Sequence, residues 1–162
     1  MPKRSLLKRR TSLRRLRVGR SKSGFGLFAR EPIKRGEFIA NYTGRLITKD
    51  YADELWTKYL FEINNRWTLD GSTRHNIARY INHSCKPNAE PYETRGKIKI
   101  YARRGIKPGE EITYDYGKEY FEQFLEPVGC KCAGCGNGGG RSHPKSKAKS
   151  RAKSKAKPRR KG

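Results

Sequence analysis

Large apolar residues are scarce in this sequence. Only 33% of its 162 residues are hydrophobic, and it has one methionine and two tryptophans. No apolar run approaches the roughly 18 residues of a membrane-spanning helix, and the N-terminus lacks the apolar segment of a secretory signal. We therefore expect an intracellular, soluble protein that does not enter a membrane, with an arginine-rich mitochondrial presequence as the alternative. The length predicts one domain with a real core and excludes two ordinary domains.

Acidic residues are absent from both ends of the chain. Residues 1–22 carry 10 Lys or Arg and residues 145–162 carry another 10, which leaves 19 basic and 15 acidic residues between them. Segment 145–162 has no apolar face at any period, so it is predicted to be disordered. In residues 6–20, Leu6, Leu13 and Leu16 are placed among arginines, which permits a basic amphipathic helix. Both ends are predicted to contact nucleic-acid phosphates without sequence preference, and the alternative is that they only solubilise the protein.

Cysteines are few, and three of the four lie in CKCAGC as Cys130, Cys132 and Cys135. Such clustering in an intracellular protein favours a metal site over disulfides. A C-x-C-x2-C segment can supply three thiolates to a tetrahedral zinc ion when a fourth ligand arrives from elsewhere. The candidates for the fourth ligand are Cys85, which is the remaining thiol, His83 and His143. Ordinary buried or redox-active cysteines are the alternative.

Short runs of β-branched and aromatic residues, bounded by Gly, Pro or Asp, predict a mainly β protein with a little helix. The predicted strands lie in GFGLFA (24–29), EFIANYTG (37–44), YLFEI (59–63), RWTLDG (66–71), KIKIYARR (97–104) and EEITYDYG (110–117). Helices are predicted at 48–60, with Asp50 near the start, and at 119–127, stopped by Pro127. The glycines of SGFGLF are followed by no capped helix, so they match a dinucleotide-binding fingerprint poorly. They indicate a bulged strand or a backbone that passes close to a ligand.

Six segments, in this order, resemble the SET-domain protein lysine methyltransferases: SGFGLFA, YTG, YLFEI, NIARYINHSCKPNAE, PGEEITYDYG and CKCAGC. RYINHSCKPN and EEITYDYG are highly specific in combination. The resemblance implies a β-rich α+β fold of several small sheets, with a C-terminal pseudoknot that joins residues 80–88 to 112–117 and a post-SET zinc loop. The implied organisation is a basic extension (1–22), a SET domain (23–118), a post-SET segment (119–137) and a disordered tail like that of a linker histone (138–162).

The resemblance implies S-adenosylmethionine as the cofactor and zinc as a structural metal. The residues it assigns to the cofactor are Lys22, Gly24, Phe25, Gly26, Tyr42, Arg79, Tyr80, Asn82, His83 and Tyr116. The metal ligands it assigns are Cys85, Cys130, Cys132 and Cys135. Two features depart from the family: the C-x-C-x2-C spacing is shorter than the usual C-x-C-x4-C, and the cysteine-rich pre-SET segment of many histone H3 methyltransferases is missing.

The resemblance also assigns catalysis to tyrosines. Tyr116 is the catalytic tyrosine that orients the substrate amine, and Tyr59 lines the same channel. Tyr114 occupies the family's Phe/Tyr switch position, where a hydroxyl crowds out further methyl groups, so monomethylation with slow dimethylation is expected. Without the neighbouring motifs, aromatic cross-strand pairs would explain these tyrosines equally well.

Three functions are compatible with these features. The first is a lysine methyltransferase whose substrate is a basic protein, a histone or a histone-like DNA-binding protein, in the nucleus or the bacterial nucleoid. The second is a catalytically silent SET fold that serves as a DNA-tethered binding module, and the third is a structural DNA-compacting protein. The presence of Tyr114, Tyr116, Asn82 and His83 favours the first. Nothing in the sequence indicates an oligomeric state.

Overall fold

The computed structural model describes residues 14–55 and 57–135. Within them the chain forms ten short strands: β1 (Leu16–Ser21), β2 (Gly24–Ala29), β3 (Phe38–Tyr42), β4 (Arg45–Thr48), β5 (Leu60–Glu62), β6 (Trp67–Asp70), β7 (Asn82–His83), β8 (Ala89–Thr94), β9 (Lys97–Ala102) and β10 (Glu111–Tyr114). The helical elements are α1 (Lys49–Glu54), a 3-10 helix (Ile77–Tyr80), and α2 (Lys118–Tyr120), which continues into a π-helical turn (Phe121–Leu125). The predicted β-rich α+β class is confirmed.

The strands form three small sheets with the orders β1-β2-β10-β7, β3-β9-β8 and β4-β6-β5. In the first sheet β10 lies antiparallel to β2 and parallel to β7. The parallel pairing places Thr113 beside Asn82 and Tyr114 beside His83. The predicted meeting of residues 80–88 with 112–117 is therefore confirmed, and it places two of the sequence motifs side by side.

One main core holds the first two sheets together. Strand β9 shows how the sequence builds it, because KIKIYA alternates exposed or half-buried residues with the buried Ile98, Ile100 and Ala102. Leu27 of β2 and Ile112 of β10 are completely buried in the same cluster. Each such side chain stabilises the fold by about 1.5–3 kcal/mol relative to an exposed one.

Two buried asparagines fix the loops that carry the motifs. The Asn88 side chain donates to the Glu111 carbonyl (2.8 Å) and accepts from the Thr113 amide (2.9 Å), which joins the segment after β7 to β10. The Asn76 side chain donates to the Gly71 carbonyl (3.0 Å) and accepts from the Thr43 amide (3.1 Å). Since a buried amide without partners costs about 1–3 kcal/mol, these bonds select this loop arrangement over others.

All six predicted strand segments contain strands, but β1, β4, β7 and β8 were not predicted. The amphipathic helix permitted over residues 6–20 is wrong for its second half, because β1 begins at Leu16 and pairs with β2 over its whole length. Burial of Leu16 in the core favours the strand. Residues 1–13 and the predicted disordered tail lie outside the described residues.

The helix predicted over 48–60 is shorter than expected. It ends at Glu54, and Leu55 already has extended backbone angles. Its N-cap is Thr48 rather than Asp50, since the Thr48 hydroxyl accepts from the Tyr51 amide (3.4 Å). Within this helix Tyr51 is exposed and Ala52 is buried. The helix predicted over 119–127 is present as α2 and the π-helical turn. In the described part of the chain, no helix is both long and apolar enough to cross a membrane.

Candidate functional site

An open cleft of about 350 Å³ lies where the first sheet meets the cysteine-rich segment. Its walls come from the tip of the β1–β2 hairpin, the 3-10 helix, β7, the end of β10, α2 and the segment after the π-helical turn. The assigned cofactor and catalytic residues that line it are Gly24, Phe25, Tyr42, Tyr59, Arg79, Tyr80, Asn82, His83, Tyr114 and Tyr116. Lys22 and Gly26 do not line it. The fold thus brings together residues from four separate motifs.

The hairpin tip is shaped by two glycines. Gly24 has φ +108°, in the region that side-chain-bearing residues rarely adopt. Gly26 is required for a different reason, because a Cβ there would collide with the Glu111 carboxylate and would lie 3.0 Å from the Ser21 Cβ. The glycine pair of GFG therefore lets the backbone turn sharply and lie flat against β10, leaving Phe25 61% exposed at the edge of the cleft.

Asn82 connects this tip to β10. Its side-chain amide donates to the Phe25 carbonyl (2.9 Å) and to the Glu111 carboxylate (2.8 Å), and the Ser21 hydroxyl donates to the other oxygen of the same carboxylate (2.9 Å). Hydrogen bonds to a charged acceptor are the stronger kind, about 1.5–3 kcal/mol each. The network holds the floor of the cleft in one geometry.

Three tyrosines make the inner wall. Tyr42 and Tyr114 are buried and Tyr116 is half-buried, with the rings of Tyr114 and Tyr116 5.0 Å apart. Burial, and then the neighbouring phenols, raise the pKa of Tyr114 and of Tyr116 well above the usual value. Burial also raises the pKa of Tyr42, partly offset by the Arg79 charge. All three hydroxyls therefore keep their protons at neutral pH.

Residues in and just before β7 orient Tyr116, which follows β10. Its hydroxyl donates to the Ile81 carbonyl (2.6 Å), and its amide donates to His83 Nδ1 (3.2 Å). His83 is buried against the Tyr116 and Phe121 rings, with centroids 5.5 Å away in each case. Ile81, just before β7, and His83, within it, thus fix both ends of the tyrosine.

A cationic rim faces these tyrosines. The Arg79 guanidinium lies 4.0 Å from the Tyr59 ring centroid, and Lys58 Nζ lies 5.4 Å from the same centroid. Burial raises the pKa of Tyr59, but the hydrogen bond with Arg79 and the charge of Lys58 outweigh it, so the net shift is downward. Among the described residues the buried Arg79 Nε has no hydrogen-bond partner. The rim therefore suits a ligand with an anionic or carbonyl group.

Sequence reasoning missed several lining residues: Ser23, Lys58, Leu60, Tyr120, Leu125 and Lys131. Tyr120 is the informative one, because its ring lies 5.0 Å from that of Tyr116. The two tyrosines belong to different predicted elements, since Tyr116 lies in the strand segment 110–117 and Tyr120 in the helix 119–127, so no local pattern indicated this contact.

The four cysteines come together beside the cleft, despite the short C-x-C-x2-C spacing. Their sulfurs lie within 4.8 Å of one another, with Cys85 3.0 Å from Cys135 and 4.0 Å from Cys130. Zinc–sulfur bonds of about 2.3 Å place tetrahedral sulfurs about 3.8 Å apart, so the donor set fits zinc. Among the described residues no histidine joins the cluster, although His83 Nε2 lies 3.4 Å from Cys85 Sγ. His143 lies outside the described residues.

The environment of the cluster gives its thiols different pKa values. Burial raises the pKa of Cys85 and raises that of Cys130 to about 11. Burial acts in the same direction on Cys132, but hydrogen bonds from the Cys85 amide and from neighbouring groups lower its pKa to about 6. Without a cation Cys85 and Cys130 therefore hold their protons at neutral pH, and a metal ion must displace them. Cys130 and Cys132 also line the cleft, so the cluster forms part of its wall.

Known proteins share this architecture. Histone-lysine N-methyltransferase ASHH3 of Arabidopsis thaliana is 41% identical over 130 residues, which cover 71% of this chain and 34% of that protein. Histone-lysine N-methyltransferase SETD1 of Drosophila melanogaster is 40% identical over 124 residues, which cover 68% of this chain and 8% of that protein. The chain thus spans about a third of the Arabidopsis relative and much less of the other.

The fold is similar to that of polycomb repressive complex 2 of Chaetomium thermophilum. A complex with H3K27me3 has a TM-score of 0.61 and 31% identity, covering 70% of this chain and 15% of that one. An autoinhibited form bound to S-adenosylmethionine has a TM-score of 0.57 and 34% identity, covering 63% and 15%. The SET domain family matches residues 24–117, which contain Gly24 and Phe25 of the hairpin tip, β7, β10 and every tyrosine that lines the cleft except Tyr120. The chain belongs to the SET domain family.

Proposed function

We propose that the protein is an S-adenosylmethionine-dependent protein-lysine N-methyltransferase. The observation that carries the proposal is the inner wall of the cleft, where Tyr116, tied to the Ile81 carbonyl, stands beside Tyr114 and opposite the glycine tip of the hairpin. The curated relatives named above are histone-lysine N-methyltransferases. Because this chain spans only part of them, the activity is proposed for it rather than transferred.

The cleft fits the cofactor. Phe25 offers an exposed aromatic surface, Asn82 and His83 offer the β7 backbone and side chains, and the orphaned Arg79 Nε suits the carboxylate end. A similar structure holds S-adenosylmethionine. When bound, S-adenosylmethionine supplies a methyl group on a positively charged sulfur. Lys22 and Gly26 are assigned to the cofactor by resemblance alone, and Gly26 would act by keeping the hairpin flat.

The tyrosines would prepare the substrate amine. A lysine with the usual pKa of about 10.4 needs roughly 4.6 kcal/mol to lose its proton at pH 7. Aromatic walls lower that cost, because desolvation depresses the pKa of an amine. The raised pKa of Tyr116 keeps its hydroxyl protonated and committed to the Ile81 carbonyl, so its oxygen lone pairs are left to orient the amine. Tyr116 then acts by positioning and electrostatics rather than as a strong base.

Tyr114 would set the product. Its buried ring lies against Tyr116, so its hydroxyl occupies space at the closed end of the cleft. A hydroxyl there leaves little room for an amine that already carries methyl groups. We therefore propose monomethylation, with dimethylation as the slower step.

The cysteine cluster would hold one structural zinc ion. The four thiolates would fix the segment 130–135 against the cleft wall, where the smaller C-x-C-x2-C loop still reaches Cys85. Zinc at such a site contributes to folding rather than to chemistry, since four protein ligands leave no open position.

The proposed substrate is a lysine in a histone or a histone-like DNA-binding protein. The relatives named above support this class. Among the residues that the structure describes, no acidic residue lines the cleft, and Glu62, which lies close in sequence to Tyr59, is buried and paired with Lys49 (3.7 Å). Recognition of the substrate through its extended backbone is therefore proposed in preference to charge pairing inside the cleft. The basic ends, 1–22 and 138–162, would tether the enzyme to nucleic acid, and so to chromatin or a nucleoid, and raise the local substrate concentration.

The experiment that tests the function uses purified full-length protein with isotopically labelled S-adenosylmethionine. The substrates are core histones, linker histone and a bacterial histone-like protein, and Tyr116→Phe is the matched control. We expect label on lysine in at least one of them, identified by mass spectrometry, and little or none with the control. Cofactor binding by calorimetry without any methylation would overturn the enzyme in favour of a binding module.

A further inference from the structure

The β1–β2 hairpin forms one edge of the first sheet. Its six residue pairs run from Leu16 and Ala29 to Ser21 and Gly24, a length of about 17–20 Å at the usual strand rise. Strand β1 is the outermost strand of the sheet order, so within the described residues its outer edge is unpaired. An ordered, exposed edge of this length is a surface on which a linear partner can lie.

The hairpin carries cations without counter-charges. Its exposed basic residues that make no ion pair within the described chain are Arg14, Arg17, Arg20, Lys22 and Arg30. Arg15 shows the contrast, because it is held by Glu37 (2.5 Å) and Glu31 (3.3 Å). The undescribed segments 1–13 and 136–162 contain no Asp or Glu and cannot supply a carboxylate side chain. Arg17 and Arg20 lie on opposite faces of β1, because successive side chains of a strand alternate, and Arg14 precedes the strand, so uncompensated positive charge flanks the exposed edge on both sides.

Arg17 is already held in place. Its guanidinium carbon lies 4.7 Å from the centroid of the Phe28 ring on the neighbouring strand. Gly19 makes room for it, since a Cβ on that residue would lie 2.6 Å from Arg17 Nη1. A cation that is ordered before binding loses less conformational entropy on contact with a ligand. This arrangement distinguishes Arg17 from an ordinary mobile surface arginine.

We propose that the exposed edge of the β1–β2 hairpin binds the phosphate backbone of duplex nucleic acid, through Arg14, Arg17 and Arg20. Duplex DNA carries one negative charge per about 1.7 Å of its axis, so long arginine side chains that flank the strand edge can reach its phosphates at several points. Adsorption to a lipid surface needs a broad apolar face beside the cations. On β1 only Val18, 40% exposed, offers apolar surface, which favours nucleic acid.

The surface that carries these cations lies next to the cleft. The hairpin that carries the cations ends in Ser23, Gly24 and Phe25, which line the cleft. A duplex along β1 therefore lies beside the cleft mouth, so a lysine presented to the enzyme would belong to a protein bound on the same nucleic acid. Nucleic-acid binding by the hairpin rests on the tethering proposed above for residues 1–22 and names the residues that perform it, whereas only the presentation of a lysine depends on the proposed methyltransferase activity.

The test compares two triple variants of the full-length protein. Arg14→Gln, Arg17→Gln and Arg20→Gln remove three charges from the hairpin. Lys97→Gln, Arg103→Gln and Lys107→Gln remove three exposed charges elsewhere and give the same net charge. Binding to a fluorescent duplex is measured by anisotropy between 50 and 200 mM salt. Each phosphate contact contributes about 0.9 to the slope of log affinity against log salt, so losing three contacts reduces the affinity change across this range by about 40-fold.

We expect the hairpin variant to show that reduced salt dependence, and the control variant to keep nearly the wild-type slope. Equal losses in both variants would mean that only net charge matters, and an unchanged hairpin variant would mean that the chain ends carry all the binding; either result overturns the proposal. A hairpin variant that loses affinity for phosphatidylserine vesicles but not for the duplex would also overturn it. Unchanged cofactor binding by calorimetry shows that the variant is folded, and methylation of a short peptide reports separately on the proposed function.

Discussion

The side-chain amide of Asn82 lies 2.8 Å from the Glu111 carboxylate, which joins β7 to β10 directly beneath the hairpin tip. We expect Glu111→Ala to weaken S-adenosylmethionine binding by about tenfold and to lower the free energy of unfolding by about 1–3 kcal/mol, because Asn82 and Ser21 lose a charged acceptor. Glu111→Gln keeps one acceptor oxygen and should recover part of the affinity. Calorimetric titration measures the cofactor affinity of both variants. An alanine variant with wild-type cofactor affinity would contradict the positioning role of Glu111.

Gly26→Ala tests the close approach of the hairpin to β10. The added methyl group collides with the Glu111 carboxylate, so that side chain must leave Asn82 and Ser21. A loss of about 1–3 kcal/mol in the free energy of unfolding is expected, as for other overpacked sites. Gly105→Ala is the control, since a Cβ there has no neighbour within 4 Å. Chemical denaturation of the two variants should differ clearly; similar stabilities would show that the hairpin tolerates a side chain.

Tyr114→Phe should change the product rather than abolish the reaction. Removing the hydroxyl frees space at the closed end of the cleft without disturbing the ring contact with Tyr116. The dominant product is therefore expected to shift from the monomethylated lysine to di- or trimethylated lysine. Mass spectrometry over a time course gives the distribution. A wild-type enzyme that already makes mainly trimethyl-lysine would rule out the assignment of Tyr114 as the switch.

Metal removal should destabilise the protein and open the cleft. Elemental analysis is expected to find about one zinc per chain, and Cys85→Ser should lower that occupancy, because among the described residues Cys85 is the only candidate ligand from outside the segment 130–135. Chelation should lower the melting temperature and weaken cofactor binding, since Cys130 and Cys132 line the cleft. A protein purified without metal that retains full stability and activity would contradict the structural role of zinc.

Alkaline pH should unfold the protein through its buried tyrosines. The folded state raises the pKa of Tyr42, Tyr114 and Tyr116, so above pH of about 10 the unfolded chain loses these protons while the folded chain keeps them. The unfolded state then binds fewer protons, and stability falls with rising pH by up to about 4 kcal/mol per pH unit for three groups. The ultraviolet absorbance of the tyrosines that ionise last should appear at the same pH at which the circular dichroism of the folded protein is lost. Ionisation of all nine tyrosines near pH 10 in a folded protein would contradict the buried wall.

The sequence was most informative where one face of a strand is buried. KIKIYARR and EEITYDYG alternate clearly, and both became strands at the predicted places. Strand β8 was missed because Pro91 argues against a strand, yet β8 is the outer strand of its sheet, where a missing amide proton is tolerated. Strand β7 has only two residues, too few for any periodicity.

For the candidate site, too, local motifs identify residues, whereas contacts between distant segments cannot be read from the sequence. Motifs identified most of the residues that line the cleft, but spacing alone could not show that Cys85 reaches the CKCAGC segment. That contact depends on the turn after β7, which Asn88 fastens to β10. Lys58 and Lys131 were missed because an exposed lysine has no distinguishing local pattern until the fold places it at a cleft.

The position of β10 between β2 and β7 also determines when the site can form during folding. Its two neighbours come from the start and the middle of the domain, and neither can complete the cleft until β10 has been inserted between them. Contacts so distant along the chain make folding slow, because loop closure costs entropy before any contact compensates for it. On the ribosome, a nascent chain that stops before Tyr116 therefore contains the glycine turn and NHSC but no assembled cleft, so the ability to bind a cofactor arises only when the final strand arrives.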